Sequence, residues 1–195
     1  MSRTRELEAQ LKSTEQQLRL LQKISRFMVR DISLSTALDQ VVSLVVEFMD
    51  SDSCLLYLLD GKDVVLCAAH NPQPDTIGNV RLKLGEGLTG WVASERRLLA
   101  ISREAYADPR FKLFTDLPED SYEAFLSAPI IVRGRVVGVI NVQHRNPHLH
   151  TGGEMELLNT VGEQLGCLIA LASIDSVVLA KTDLLELVLA MARRG

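Results

Sequence analysis

Residues 125–144, F-L-S-A-P-I-I-V-R-G-R-V-V-G-V-I-N-V-Q-H, constrain the fold more tightly than any other stretch of this chain. Two β-branched runs, 126–133 and 136–143, meet at Gly134-Arg135, where glycine supplies the positive φ that a two-residue hairpin turn demands. Val136, Val137, Val139, Ile140 and Val142 place apolar side chains on both faces of one strand, so both faces must be covered. The hairpin therefore belongs in the interior of a sheet, and the remaining chain has to provide the layers on either side. Pairing Val132 with Val137 across the turn sets Ala128 opposite Asn141 and Leu126 opposite Gln143 on one face. Pro129, Ile131, Gly138, Ile140 and Val142 then share the other face, where the missing side chain of Gly138 admits the close approach of a helix.

The covering layers follow from periodicity. In residues 1–30, Leu7, Leu11, Leu18, Leu21 and Met28 recur at alternating spacings of three and four, with Thr14 and Ser25 in the gaps. This is a coiled-coil seam on an otherwise polar helix, which needs a partner helix; a second copy is the simplest one, and packing along its own domain is the alternative. The seam is expected to continue inward through Ile24 and Phe27. After a break near 31–35, residues 36–49 carry Leu38, Val41, Val42, Val45, Val46 and Met49 on one wide stripe. Residues 53–59 and 64–69 form a second hairpin across Asp60-Gly61-Lys62-Asp63. Pro72, Pro74 and Gly78 make 71–79 a loop or edge segment. A glycine-rich stretch, 85–95, opens a short helix with Leu88, Trp91 and Val92 at helical spacing, and 98–102 reads as a strand. Residues 103–124 form a long irregular segment, with a turn at 107–111 and a short helix starting at 118–122, and such a segment in a small domain is usually functional. Thr151 three residues before Glu154 is a capping box opening a long helix whose stripe is Met155, Leu158, Val161, Leu165, Leu168, Ile169 and Ala172. A last helix starts near Asp183 and carries Leu184, Leu187, Val188 and Met191.

With 195 residues the chain suits one well-buried domain plus helical extensions. Its net charge of −4 offers no electrostatic footprint for a phosphate backbone, so nucleic acid is not an expected partner. No apolar run approaches the roughly 20 residues that span a bilayer, and the N-terminus lacks the form of a signal peptide. A soluble, cytoplasmic protein without a membrane partner is expected. Cys54, Cys67 and Cys167 lie in apolar runs at wide spacing, which predicts reduced core thiols instead of a disulfide framework or metal site.

Several strings together resemble the GAF domain family: G-E-G-L-T-G-W-V-A-S at 85–94, A-D-P-R-F at 107–111, F-L-S-A-P-I-I-V-R-G-R-V-V-G-V at 125–139 and T-G-G-E at 151–154. Within that family, F-K-L-F-T-D-L-P-E-D-S-Y at 111–122 is most similar to the GAF module of enzyme I of the nitrogen-related phosphotransferase system. The resemblance implies an α+β fold, an α/β/α sandwich around an antiparallel sheet of five or six strands, with terminal coiled-coil-type helices. It divides the chain into an N-terminal helix (1–32), a GAF domain (33–174) and a helical extension (175–195). It also implies a sensory or dimerisation role, with a homodimer formed through the terminal helices and a downstream output domain or protein partner.

The pocket implied by the family lies between the sheet and segments 85–95 and 103–124. Trp91, Phe111, Tyr122, Phe125, Asn141 and Gln143 are its candidate ligand-binding residues, with Asn141 either lining the pocket or satisfying a loop backbone group. His144, His148 and His150 are expected to be surface histidines, with no metal, because the cysteines lie far away and the turn reads as exposed. Cyclic-nucleotide-binding members carry an Asn-Lys pair where this chain has His144-Arg145, which argues against that ligand. Members that attach a bilin, or reduce free methionine sulfoxide, use cysteines in the segment corresponding to 103–124, which has none. No catalytic residues and no cofactor beyond an unidentified small ligand are expected; Asp108 and Arg110 read as the fixings of a turn. Two functions remain: a non-catalytic sensor relaying ligand state through a helical dimer, or a ligand-free dimerisation module. A redox enzyme of the free methionine sulfoxide reductase type is the remote alternative.

Overall fold

In the computed structural model, which describes residues 2–72, 75–112 and 122–173, an N-terminal helix α1 (Ser2–Ser25) runs through a 3-10 turn (Arg26–Val29) into α2 (Leu34–Met49). The strands β1 (Ser53–Asp60), β2 (Asp63–Ala69) and β3 (Arg81–Lys83) follow, then α3 (Gly87–Glu95) and β4 (Leu99–Ile101). A second 3-10 turn (Ala105–Ala107), β5 (Ala124–Val132), β6 (Arg135–His144) and α4 (Gly152–Ala172) complete the order. Six antiparallel strands form one sheet in the order β3-β2-β1-β6-β5-β4, so β6 lies inside the sheet, flanked by β1 and β5. The short edge strand β3 follows the expected loop; its Leu82 pairs with Val64 of β2. The helix start expected at 118–122 and the helix after Asp183 fall outside the described residues, apart from Tyr122.

The sheet divides two cores. On one face, Cys54, Leu56, Leu126, Ala128, Ile130, Ile140 and Val142 pack under α2 and α4 and the last turns of α1. On the other, Tyr57, Leu66, Phe125, Val136 and Val139 meet Leu88, Val92 and Ala93 of α3. The two-sided covering expected of the hairpin is met, but its faces are sorted differently. The turn falls at Arg133-Gly134, both at positive φ (48° and 75°) as a type I′ turn requires, so Val132 pairs with Arg135. A bulge then inserts Val137 into β6, and Phe125 pairs with Gln143, Ser127 with Asn141 and Ala128 with Ile140. The net slip of one residue exchanges the faces of β5: Leu126 and Ala128 join the helical side, and Ser127 takes the place beside Asn141.

Close helix approach comes from α4, not from Gly138. A Cβ on Gly138 would strike the Tyr57 carbonyl oxygen on the neighbouring strand, whereas Cβ atoms on Gly162 and Gly166 would stand 2.9 Å from Pro129 O and 2.7 Å from Ile131 O. These two glycines, one helical turn apart, seat α4 on β5. Thr151 and Glu154 form the expected capping box, and Leu157, Leu158, Val161, Leu165 and Leu168 fill the interface, while Ala172 is exposed. Cys167 points outward from α4, so only Cys54 is a fully buried thiol; all three cysteines are unpaired.

Helix α2 begins at Leu34, two residues before the expected start at residue 36, because Ser33 accepts the Thr36 N–H as an N-cap. In α1 the burial belongs to Leu20 and Ile24, and in the 3-10 turn after it to Phe27, while Leu7, Leu11 and Leu18 of the expected seam are 58%, 61% and 54% exposed. Leu20 carries the packing that the seam reading missed. Among the described residues, no helix is long and apolar enough to cross a membrane.

Candidate functional site: the space beneath α3 and a histidine cluster

Beneath α3 a cavity of about 40 Å³ is bordered by Leu55, Tyr57, Thr89, Phe111, Phe125, Asn141 and Gln143. The strand register brings Phe125, Asn141 and Gln143 to this side of the sheet, and the segment after the second 3-10 turn brings Phe111 over it. Trp91 and Tyr122 do not border it. The Trp91 ring, on α3, instead meets two guanidiniums, with Arg110 at 4.5 Å and Arg97 at 5.0 Å from its centroid.

Asn141 is 1% exposed, and its amide oxygen and its amide nitrogen each meet a hydroxyl group. Ser127 Oγ donates to Asn141 Oδ1 at 2.6 Å, and Asn141 Nδ2 donates to Thr89 Oγ1 at 2.7 Å. Asn141 borders the cavity, as the first of its two expected roles has it, and it also ties β5 and β6 to α3, which neither role anticipates. The sequence holds one clue to the link, in that Thr89 sits one residue after Leu88 on a helix otherwise lined with apolar and small side chains.

The roof is held from outside. Arg110 grips Asp108 through two side-chain hydrogen bonds, at 2.8 and 2.7 Å, which fixes the turn as expected and holds the Asp108 carboxyl below its usual pKa. Lys112 Nζ donates to Glu86 Oε1 at 2.7 Å, and that bond is the main reason the Glu86 carboxyl is more acidic than usual. Both ion pairs are at least partly exposed, so they locate the roof at little energetic depth.

The histidines are not on the surface. His144 and His150 are each 6% exposed, and His148 is half-buried. The reason is tertiary: the His148 N–H donates to Ser102 O, docking the β6–α4 connection against the end of β4. The His144 and His148 rings stack at 4.0 Å, with His150 tilted against both at 5.6 and 5.0 Å. One nitrogen of each ring lies within 4.8 Å of the others. His148 Nε2 is 2.8 Å from Glu154 Oε1. Burial, assisted by the neighbouring histidines, pushes His144 down to about 4 and lowers His150 in the same way. Both rings of this buried pair are therefore neutral at pH 7.

A wider groove of about 610 Å³ lies on the opposite side of the sheet, between α1 and α2. Exposed Lys23, Arg26, Arg30, Asp39 and Glu47 border it, so it is a solvent-filled furrow between helices and not an enclosed site.

Residues 33–169 match the profile of the GAF domain. Among solved structures, the chain is similar to the GAF domain of a phosphoenolpyruvate-protein phosphotransferase from Coxiella burnetii, at 29% identity and a TM-score of 0.74, covering 80% of this chain and 94% of that one. Its fold is also that of the free methionine-R-sulfoxide reductase of Neisseria meningitidis, at 16% identity and a TM-score of 0.67, with 80% of this chain and 89% of that one covered. A probable 3′,5′-cyclic phosphodiesterase of Caenorhabditis elegans is 26% identical over 141 residues, which are 66% of this chain and only 19% of that protein. The profile match extends from the cap of α2 to the last turns of α4 and takes in the whole sheet; this chain belongs to the GAF domain family.

Proposed function

We propose that this chain is a non-catalytic sensory module that takes a small, polar, uncharged ligand beneath α3 and passes the change to a homodimer formed by its N-terminal helix. The observation that carries the reading is the pairing of a buried polar row, Ser127, Asn141 and Thr89, with a roof latched by partly exposed contacts. A cavity of about 40 Å³ accommodates little more than one water, so a ligand enters by lifting Phe111 and Lys112 away from the sheet. The resulting displacement of α3 pulls on β6 through Asn141, and the opposite face of β6 touches the helical layer through Ile140 and Val142. Exposed Leu7, Leu11 and Leu18 give α1 the apolar stripe a second copy would cover, and an output domain or protein partner would read the helices.

Thiol chemistry of the sulfoxide reductase kind has little support. Burial raises the pKa of the Cys54 and Cys67 thiols and so disfavours their thiolates, and Cys167 lies on α4, across the sheet from the cavity. The small cavity favours a second reading, a ligand-free dimerisation module filled by its own side chains. A thermal-shift screen with amino acids, 2-oxo acids, nucleosides and cyclic nucleotides, followed by native mass spectrometry, separates the two. A ligand that raises the Tm of the wild type and not of a Phe111→Glu variant supports the sensor; a flat screen with a dimeric mass supports the ligand-free module.

A further inference from the structure

The β6–α4 connection carries a second site, unrelated to the space beneath α3. We propose that His144, His148 and His150 bind a divalent transition-metal ion of the zinc class. Three imidazoles from seven residues of chain converge with one nitrogen each inside 4.8 Å, and imidazole is a ligand that selects zinc-like ions over magnesium or calcium. Nitrogens sharing a tetrahedral zinc at ~2.0–2.1 Å stand about 3.3 Å apart, so the widest pair closes by about 1.5 Å. Ring rotation supplies that movement, opening the His144–His148 stack.

Two further observations point to a ligand. His150 is 6% exposed, and neither of its ring nitrogens has a hydrogen-bond partner. The carbonyls of Ile101 and Phe125 come near the ring without making an ordinary bond. An imidazole must carry one donor and one acceptor, and burying both unmatched is costly; a metal on one nitrogen satisfies it. In addition, Glu154 is already in the position of an outer carboxylate. It accepts from Thr151 N at 2.7 Å and Thr151 Oγ1 at 2.8 Å, and its other oxygen meets His148 Nε2. A carboxylate holding one nitrogen of a histidine orients the ring and leaves Nδ1 to the metal. Asp52 is the other carboxylate whose charge reaches the cluster, through His144.

Entry is open: a cavity of about 320 Å³, bordered by Gln16, Gln17, Phe48, His148, Thr151 and Glu154, adjoins the site. Three protein ligands leave a fourth position for water. A bound ion also pins the β6–α4 connection to the first turn of α4, making the seating of that helix metal-dependent.

The test uses the full chain after dialysis against EDTA. Zinc raises its Tm by several degrees with one ion per chain by elemental analysis, and cobalt gives visible ligand-field bands. His148→Ala, at a half-exposed position, weakens cobalt binding at least about tenfold, and His150→Ala abolishes the bands. His70→Ala, outside the cluster, changes neither readout. Absence of both the Tm rise and the bands at millimolar metal overturns the site, as does undiminished binding in His148→Ala, which also decides the matter should His150→Ala fail to fold.

Discussion

Asn141 Nδ2 donates to Thr89 Oγ1 across 2.7 Å, and this bond joins one of the two central strands of the sheet to the helix that roofs the cavity. Because Asn141 is buried and also accepts from Ser127, removing its amide strands two hydroxyls away from water. Asn141→Ala is expected to lower stability by roughly 2–4 kcal/mol, measured by urea denaturation, against about 1 kcal/mol for Thr89→Val. No loss in Thr89→Val would show that α3 does not depend on this link.

Gly162 and Gly166 place bare backbone against β5 carbonyls. Gly166→Ala forces a methyl to within 2.7 Å of Ile131 O and 3.1 Å of a Val132 methyl, so α4 must lift from the sheet. The expected loss is about 1–3 kcal/mol after the gain in helix propensity of about 1 kcal/mol is set against it. Gly152→Ala, where an added Cβ meets nothing within 4 Å, leaves the midpoint unchanged or slightly raised. Thermal melts of the three proteins side by side check the contrast.

Acid should loosen the histidine cluster. His144 titrates near 4 when folded and near its ordinary 6.5 when unfolded, so between these values the unfolded chain binds the extra proton. Stability is therefore complete above about pH 6.5 and declines as pH falls toward 4, with His150 shifted in the same direction. The denaturant midpoint in EDTA should drop between about pH 7 and pH 4.5, and His144→Gln should flatten that drop. A midpoint independent of pH over this range contradicts the burial of neutral rings.

The exposed leucines of α1 predict a change of assembly without a change of fold. Leu11→Glu combined with Leu18→Glu touches side chains 61% and 54% exposed, so far-ultraviolet circular dichroism should be almost unaltered. Light scattering should move from a dimeric to a monomeric mass. A monomeric wild type at micromolar concentration would remove the dimer from the proposed function.

Local chemistry was enough for much of this molecule. The capping box of Thr151 and Glu154, the turn at Gly61-Lys62, the stripe of α2 and the grip of Arg110 on Asp108 all join residues a few positions apart, so their partners can be read together. The two-faced run of β6 likewise announced its own burial. Fold class and family were legible for that reason.

Elsewhere the partner was remote or the deciding increment was one residue. Arg133 at φ 48° and the extra Val137 have no signature in residue type, yet together they exchange the two faces of β5. Thr89 lies 52 positions from Asn141, and only the packing of α3 brings them within a hydrogen bond. The string H-R-N-P-H-L-H reads as a polar turn until Ser102 O takes the His148 N–H and folds the rings inward. Periodicity and capping report a residue's own conformation, and so they delivered the elements; the register, the filling of the cavity and the histidine cluster depended on contacts between segments that meet only after the chain has closed around its sheet.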